Sequence, residues 1–347
     1  MAASFKTLLQ DDKVTTKTLM HEAIPITGTI VSGTYTALSD GREANIKTFS
    51  HGMFQSIYDY PYVSSSANHI FDLTNGFSVT SDFSASAASH TDSQVAKKVN
   101  IYNQMAQILA GFTTSSVVRQ FDEDGDLSGD GGTKISSAIF LNFSRLLVKD
   151  EIKKGSFEIV LGSANSYADP FASTITVKDT DADTSYKVNS PAGEYGILKN
   201  GSTNVGLLYY QAGVAVLTSS VFASSIELDS STNNSQALFT GSSIDSYADA
   251  VRHRIQNIKF NNTTELNSTI FFCRMNHNDF NYSSNPTYLS ESTIRVKNGR
   301  GSNMPISYAT TVGLYSHDNE LLAVAKLSEP LRKDPTNELT LRVRLDY

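Results

Sequence analysis

Residues 204–222 read NVGLLYYQAGVAVLTSSVF, the most apolar stretch in the chain. Two runs of Val, Leu, Ala and Tyr flank Gln211-Ala212-Gly213. An unbroken apolar run has no polar face to show to water, which is the pattern of a strand covered on both sides. A glycine between two such runs supplies the turn. The stretch therefore predicts two buried strands joined at Gly213.

Working outward, the same chemistry recurs. AIFLNFSRLL, GSFEIVLG, STITVKD and TSYKVNS are short apolar or β-branched runs divided by Gly, Asp, Asn and Ser. TIFFCRM follows, and then TTVGLYSHDNELLAVAKL, whose Asp318-Asn319 separates two apolar halves as a hairpin turn would. At the end stands ELTLRVRLDY. There Leu339, Leu341, Val343, Leu345 and Tyr347 alternate with Thr340, Arg342, Arg344 and Asp346, and no other stretch carries a cleaner period of two.

Two stretches break the pattern. In SQVAKKVNIYNQMAQILAGF the residues Val95, Val99, Tyr102, Met105, Ala106 and Leu109 recur at helical spacing, with Lys97, Lys98 and Gln104 off that face. Gly111 stands where a C-terminal cap belongs. SIDSYADAVRHRIQNI returns to helical spacing through Ile244, Tyr247, Ala248, Val251 and Ile255, with Ser243 as its cap. Near the N-terminus, EAIPITGTIVSGTYT places Ile24, Ile26, Ile30, Val31 and Tyr35 around Gly28 and Gly33, the pattern of a strand with a bend. The expected class is mainly β with a few helices, in β-sandwich or barrel-like subdomains. The expected divisions are a mixed region over 1–135 with a helix near 93–110, a β-rich domain over 136–240, and a region over 241–347 of helix, hairpin and terminal strand. No fixed-period repeat argues for a solenoid or propeller.

Composition narrows the function. The chain has 347 residues, enough for a large core, and is 39% hydrophobic but only 18% charged, the balance of a β-rich protein with polar turns. A net charge of −7 lacks the basic surplus that nucleic-acid binding draws on. A single cysteine, Cys273, excludes an intrachain disulfide. Neither a signal peptide nor an apolar run of membrane-span length is seen, so folding in a cytosol-like compartment is expected, with no membrane partner. Asn-x-Ser/Thr matches such as Asn142-Phe-Ser are chance products of a Ser-, Thr- and Asn-rich chain.

Candidate chemistry is sparse. FDEDGDLSGDGG, residues 121–132, resembles a calcium loop, and counting from Asp124 puts Asp126, Ser128 and Gly129 at positions three, five and six. Position twelve, where a bidentate glutamate closes the cage, is Ile135. An acidic turn is the expectation. None of the seven histidines has metal-ligand spacing, and His253 lies between Arg252 and Arg254 on what reads as a solvated helix face. Cys273 sits in an apolar run and reads as a small hydrophobe. Gly299-Arg-Gly301 lacks the third glycine of a dinucleotide loop, and no carboxylate pair assembles an acid and a base. No catalytic residue, cofactor or metal is expected. Tyrosines in IYDYPYV, LLYYQ and NDFNYSSNPTYL read as core, with protein contact as the alternative.

With these residues laid out, HEAIPITGTIVSGTY, HGMFQSIYDYPYV, SSANHIFDLTNG, VNSPAGEYGIL, GLLYYQAGVAVLT and NNTTELNSTIFFCRMNHNDFNYSSNPTYLS resemble virion structural proteins of contractile-tailed phages. The likeness is greatest to myoviruses infecting marine cyanobacteria. Residues 310–347 are also similar to a hairpin pattern of phage tail and baseplate proteins. The resemblance implies a structural component of the virion, in the tail, baseplate or neck, assembled in the host cytoplasm with other virion proteins. It implies an oligomer or symmetric ring about the particle axis and no enzyme activity. The alternatives are a capsid-associated decoration or head-completion protein, and a receptor- or glycan-binding module at the particle tip. The candidate assembly strand is Leu339, Leu341, Arg342, Val343, Arg344, Leu345 and Tyr347. It would add to a neighbour's open sheet edge, or else pair inside its own domain.

Overall fold

The computed structural model describes residues 5–32, 43–85, 93–127, 133–282, 289–290, 293–294 and 304–347. It is mainly β with a few helices, and its strands pair antiparallel. The chain divides into a large unit, Met20–Thr264, and a terminal unit made of Met1–Leu19 with Glu265–Tyr347. Both boundaries fall within strands, one inside β1 (Lys13–Thr27) and the other inside a long strand late in the chain.

The large unit is built on one sheet. Its early strands are β2 (Ile46–Thr48), β3 (Gln55–Tyr58) and β4 (His69–Phe77). A small hairpin, β5 (Phe121–Asp122) with β6 (Lys134–Ile135), lies apart from the main pairing. Next come β7 (Ser137–Phe143), β8 (Glu151–Ile152), β9 (Glu158–Gly162), β10 (Thr174–Lys178), β11 (Lys187–Ser190), β12 (Gly193–Asn200), β13 (Thr203–Tyr209) and β14 (Val214–Thr218). Residues 255–263 open β15 (Ile255–Met275) and pair with β9 and β8. From β9 the order runs β10, β12, β13, β14, β7, β4, β3, β2, with β11 on β12.

Both faces of this sheet are covered, which is why its central strands carry no polar alternation. On β7, Ile139, Leu141 and Phe143 enter one core while Ala138 and Phe140 enter the other. On β14, Ala215 and Leu217 divide from Val214 and Val216 in the same way. The first core is closed by the helices Ser235–Gly241 and Ile244–His253, through Leu238, Phe239, Tyr247 and Val251. The second is closed by Tyr102, Ala106 and Leu109 of the helix Ser93–Leu109 and by Phe121 and Ile135 of the small hairpin. Each Val, Leu, Ile or Phe among these, fully buried, contributes about 1.5–3 kcal/mol. Gly76 of β4 sets how near the long helix can come, because a Cβ there would stand 2.5 Å from the Lys98 carbonyl oxygen.

Expected turns and caps recur in place. Gly213 takes a φ of +67° and donates its N–H to the Tyr209 carbonyl at 2.9 Å. Gly111 (φ +79°) ends the long helix, and the Ser243 hydroxyl accepts from the Ser246 N–H. Three expectations change. After Thr27 the chain makes a short helix, Gly28–Ser32, where a bend in a strand was expected, and Gly33 and Tyr35 lie outside the described residues. The divisions expected at 135/136 and 240/241 both fall within the large unit. β7 bonds to β4 across the first, and the second cuts the helix Ser235–Gly241. Pairing between strands distant in sequence leaves no mark on local composition. Third, Lys98, Arg252 and Arg254, expected on solvated faces, are buried.

Their partners explain the burial. Lys98 donates from Nζ to the carbonyls of Phe239 (2.6 Å) and Ser242 (2.7 Å), at the C-terminal end of the helix Ser235–Gly241 where carbonyls lack helical donors. Arg254 donates to the carbonyls of Gly162, Ala164, Ser166 and Glu227, holding two loops together. Arg252 reaches the Val31 carbonyl (2.8 Å) and the carboxylates of Glu43 and Asp249. A charge inside a protein is tolerated when it is paired or hydrogen-bonded, and here the terminal nitrogens carry the bonds while Nε of Arg252 and of Arg254 has no hydrogen-bond partner among the described residues.

The terminal unit holds residues 13–19 of β1, residues 265–275 of β15, a short pair β16 (Leu289–Ser290) and β17 (Thr293–Ile294), the hairpin β18 (Ser307–Tyr315) with β19 (Leu321–Lys333), and β20 (Leu339–Asp346).

Candidate assembly surface

The candidate strand is β20, and it pairs with β15 of its own chain. Thr269 stands opposite Leu345, Phe271 opposite Val343, and Cys273 opposite Leu341. Pairing inside its own domain is thus how this strand is held, and the addition of a whole free strand to a neighbour does not describe it. The alternation survives in the burial. Leu339, Leu341, Val343 and Leu345 are half-buried, while Thr340, Arg342, Arg344, Asp346 and Tyr347 are exposed. Arg344 donates from Nε to Ser268 Oγ (2.8 Å) and to Asp346 Oδ1 (2.7 Å). The Ser268 hydroxyl and the Arg344 guanidinium together hold the Asp346 carboxyl below the usual carboxylate range.

β15 is the centre of this small sheet, with β1 on one edge and β20 on the other. Thr15 Oγ1 lies 3.1 Å from Thr269 Oγ1, and Lys17 pairs with Glu265, so β1 runs antiparallel to β15. Arg274 meets Asp12 at 3.1 Å, and Lys6 meets Asp279 at 2.6 Å. These ties order the chain but leave its faces open. Ile270, Phe271, Phe272 and Cys273 project alternately from both faces of a central strand, yet all four are only half-buried. Among the described residues the terminal unit places just Met275 and Leu314 in the buried apolar set, and every member of the two large cores belongs to the large unit.

The hairpin β18–β19 is more open still. It is a two-stranded ribbon with no third strand beside it among the described residues. Tyr308 is 62% exposed and Leu322 66%, and Tyr315, Leu321 and Val324 are exposed as well. Tyr315 lies over Gly313, where a Cβ would meet its ring at 2.9 Å, and meets the Phe5 ring edge-on at 5.1 Å. The turn is as the sequence predicts, with Asn319 at a φ of +62° and Ser316 donating its N–H to the Glu320 carbonyl at 2.9 Å. Lys333 closes the far end, fully buried, with Nζ donating to Asn281 Oδ1 (2.7 Å) and to the Asp334 carbonyl (2.9 Å). Exposed apolar side chains on open strands mark interaction sites in some proteins and aggregation-prone edges in others.

The other candidates resolve as structure. In the acidic loop, Asp122 is fully buried and its carboxylate takes the Lys134 ammonium, which also reaches the Asp126 carbonyl at 3.4 Å. Burial pushes the Asp122 carboxyl up and Lys134 opposes it. Asp122 and Asp124 further accept from the backbone N–H groups of Asp124 (3.2 Å) and Asp126 (2.9 Å). Lys134 thus neutralises Asp122, and Ser128, Gly129, Asp130 and Gly131 lie outside the described residues. No group of three or more His, Cys, Asp and Glu side chains converges to hold a metal among the described residues. The Cys273 thiol is half-buried rather than buried, and burial and then Asp12 push its pKa up, away from thiolate reactivity. His253 stacks on Tyr167 at 4.4 Å and bonds to the Tyr167 carbonyl through Nε2 at 3.1 Å. Tyr209 and Tyr210 are core residues, whereas Tyr60 and Phe280 are exposed. Gly299-Arg-Gly301 lies outside the described residues. No described helix is long and apolar enough to cross a membrane.

The sequence reading gave the end of β1, through Ile24 and Ile26, but missed its first part, residues 13–21. Its Lys13, Thr15 and Lys17 alternate with Val14, Thr16 and Thr18, a β-prone pattern that was there to be found. Compared with known protein families, curated proteins and solved structures, the chain matches none. The likeness to phage virion proteins therefore stands on the quoted residues alone.

Proposed function

We propose that this protein is a structural component of a contractile-tailed phage particle, in its tail, baseplate or neck, and that it acts by protein–protein assembly, without catalysis. One observation carries the reading. The terminal unit is ordered into strands yet has almost no apolar core among its described residues, while Phe5, Leu9, Val14, Tyr308, Leu322 and Tyr347 face solvent. Two-stranded ribbons are marginal alone, and strands with apolar side chains open on both faces gain stability when a neighbour covers them. The partners are other virion proteins and further copies of this chain, arranged about the particle axis.

Electron microscopy of phage particles carrying a tagged copy of the chain tests the reading. Tag density in repeated positions on the tail, baseplate or neck is the expected result. Density confined to the capsid, or purified particles free of the tag, would overturn it.

A further inference from the structure

The small sheet β1–β15–β20 ends in two edges that no described strand covers. Asn267 and Tyr347 exchange both backbone hydrogen bonds, at 3.0 and 2.9 Å. Counting along the register from that pair, Leu345, Val343 and Leu341 also turn their backbone groups toward β15, so Thr340, Arg342, Arg344 and Asp346 turn theirs outward. On the other side Thr15 faces Thr269, and the Thr16 hydroxyl donates to the Ser268 carbonyl at 3.4 Å. The Thr269 backbone groups belong to β20, so those of Thr15 point away from β15. Every residue from 13 to 19 is exposed. The two outer edges are of similar length, seven residues at 13–19 and a comparable run at 340–346.

We propose that the outer edge of β20 in one copy pairs with the outer edge of β1 in the next, making a continuous sheet through successive copies. The inference rests on the assembly role proposed above and names the contact. Charge selects this pairing over the two like-with-like alternatives. Two β20 strands laid antiparallel in full overlap put Arg342 opposite Arg344 twice, and two β1 strands centred on Thr15 put Lys13 opposite Lys17 twice. Where successive copies present the same face of the sheet on the same side, the strands of the mixed pairing run parallel, because within each copy both are antiparallel to β15. Thr15 and Leu345 share the Thr269 face. Lys13 and Lys17 therefore lie beside Leu341, Val343 and Leu345, where their aliphatic stems cover apolar surface. Val14, Thr16 and Thr18 lie beside Arg342 and Arg344. No like charges meet. Because two different edges join, an open row of copies always has one edge of each kind left over at its ends, and the assembly closes as a ring or grows as a filament.

Proline at an outward-facing position removes an edge donor and leaves the bonds to β15 in place. Thr15→Pro blocks the β1 edge, and Arg344→Pro blocks the β20 edge. In sedimentation analysis of the full chain, the wild type is expected to form species larger than a dimer with rising concentration, and each variant alone to stay monomeric. Mixed one to one, the two variants still own one complementary pair of edges, so a heterodimer and nothing larger is expected. A wild type that is monomeric at its highest soluble concentration, a variant that self-associates like wild type, or a mixture of folded variants without heterodimer would overturn the proposal. If circular dichroism shows a variant unfolded, hydrogen exchange on the wild type decides. The amides of Arg342 and Arg344 slow with concentration if the edge is shared, and unchanged rates sink the idea. A chain found in particles but lacking this edge pairing overturns this contact alone and leaves the assembly role standing.

Discussion

Two hairpins in this molecule share an architecture and meet opposite fates. β13–β14 and β18–β19 are both antiparallel, both rich in Val, Leu, Ala and Tyr, and both carry a residue of positive φ at the turn, Gly213 in one and Asn319 in the other. In the first, every residue of β14 is buried, as are Val205 to Tyr209 of β13. In the second, only Leu314 and Lys333 are buried. The difference lies in the neighbours. β13 is flanked by β12 and β14 by β7, with a core on each face, whereas β18 and β19 have only each other among the described residues. Apolar content measures what a strand can gain from burial. Whether the gain is realised within one chain depends on what packs against it.

Substitutions in the two regions should separate sharply, beginning with the largest effect. Phe140→Ala removes a fully buried ring that packs against Tyr102 (6.4 Å) and Phe121 (5.8 Å), next to the buried hairpin. A loss of about 3–5 kcal/mol in urea unfolding is expected. A loss below about 1 kcal/mol would mean that this core is not close-packed, and the contrast would collapse. Arg254→Ala strands the four carbonyls that the guanidinium serves and should cost about 3 kcal/mol in the same assay.

Glu158→Gln comes third. Glu158 faces Lys178 on β10 and Lys259 on β15 across the strands. Burial pushes its carboxyl up, but the two lysines outweigh that and bring it below the usual glutamate range. A lowered folded pKa means that its contribution is present above the unfolded value and lost as the pH falls through the folded one. The variant should therefore show a flatter acid limb in stability against pH, with about 1 kcal/mol or less lost at neutral pH. An unchanged acid limb would remove this ion triad from the account. Smallest of all is Leu322→Ser, on the open hairpin. Unfolding of the isolated chain should move by no more than about 0.5 kcal/mol. Association, followed by light scattering, should weaken. A strongly destabilised monomer would show that the hairpin is already covered, and the comparison would fail at its second term.

Residue pattern made some of this legible and hid the rest for identifiable reasons. The run at 204–222 announced strands covered on both faces, and both faces are covered. The period of two at 338–347 announced a strand with one apolar face, and the burial follows it from Leu339 to Asp346, with Tyr347 exposed instead. Lys98, Arg252 and Arg254 were misplaced because local spacing shows a charge without its partners. The carbonyls that accept from Lys98 lie more than a hundred residues away in the chain, and so do the Val31 and Glu43 oxygens that accept from Arg252. The first part of β1, residues 13–21, escaped notice because an edge strand needs no apolar face of its own.

What the chain's own letters settled was local: which segments are strands, where they turn, and that a large β core would form, since side-chain shape and turn geometry act within a few residues. What only the tertiary structure decided was who stands next to whom. It placed β20 beside β15, brought β1 to the opposite edge, and left β18–β19 without a third strand among the described residues, because backbone hydrogen bonding is the same for every residue and carries no address until the strands are laid side by side.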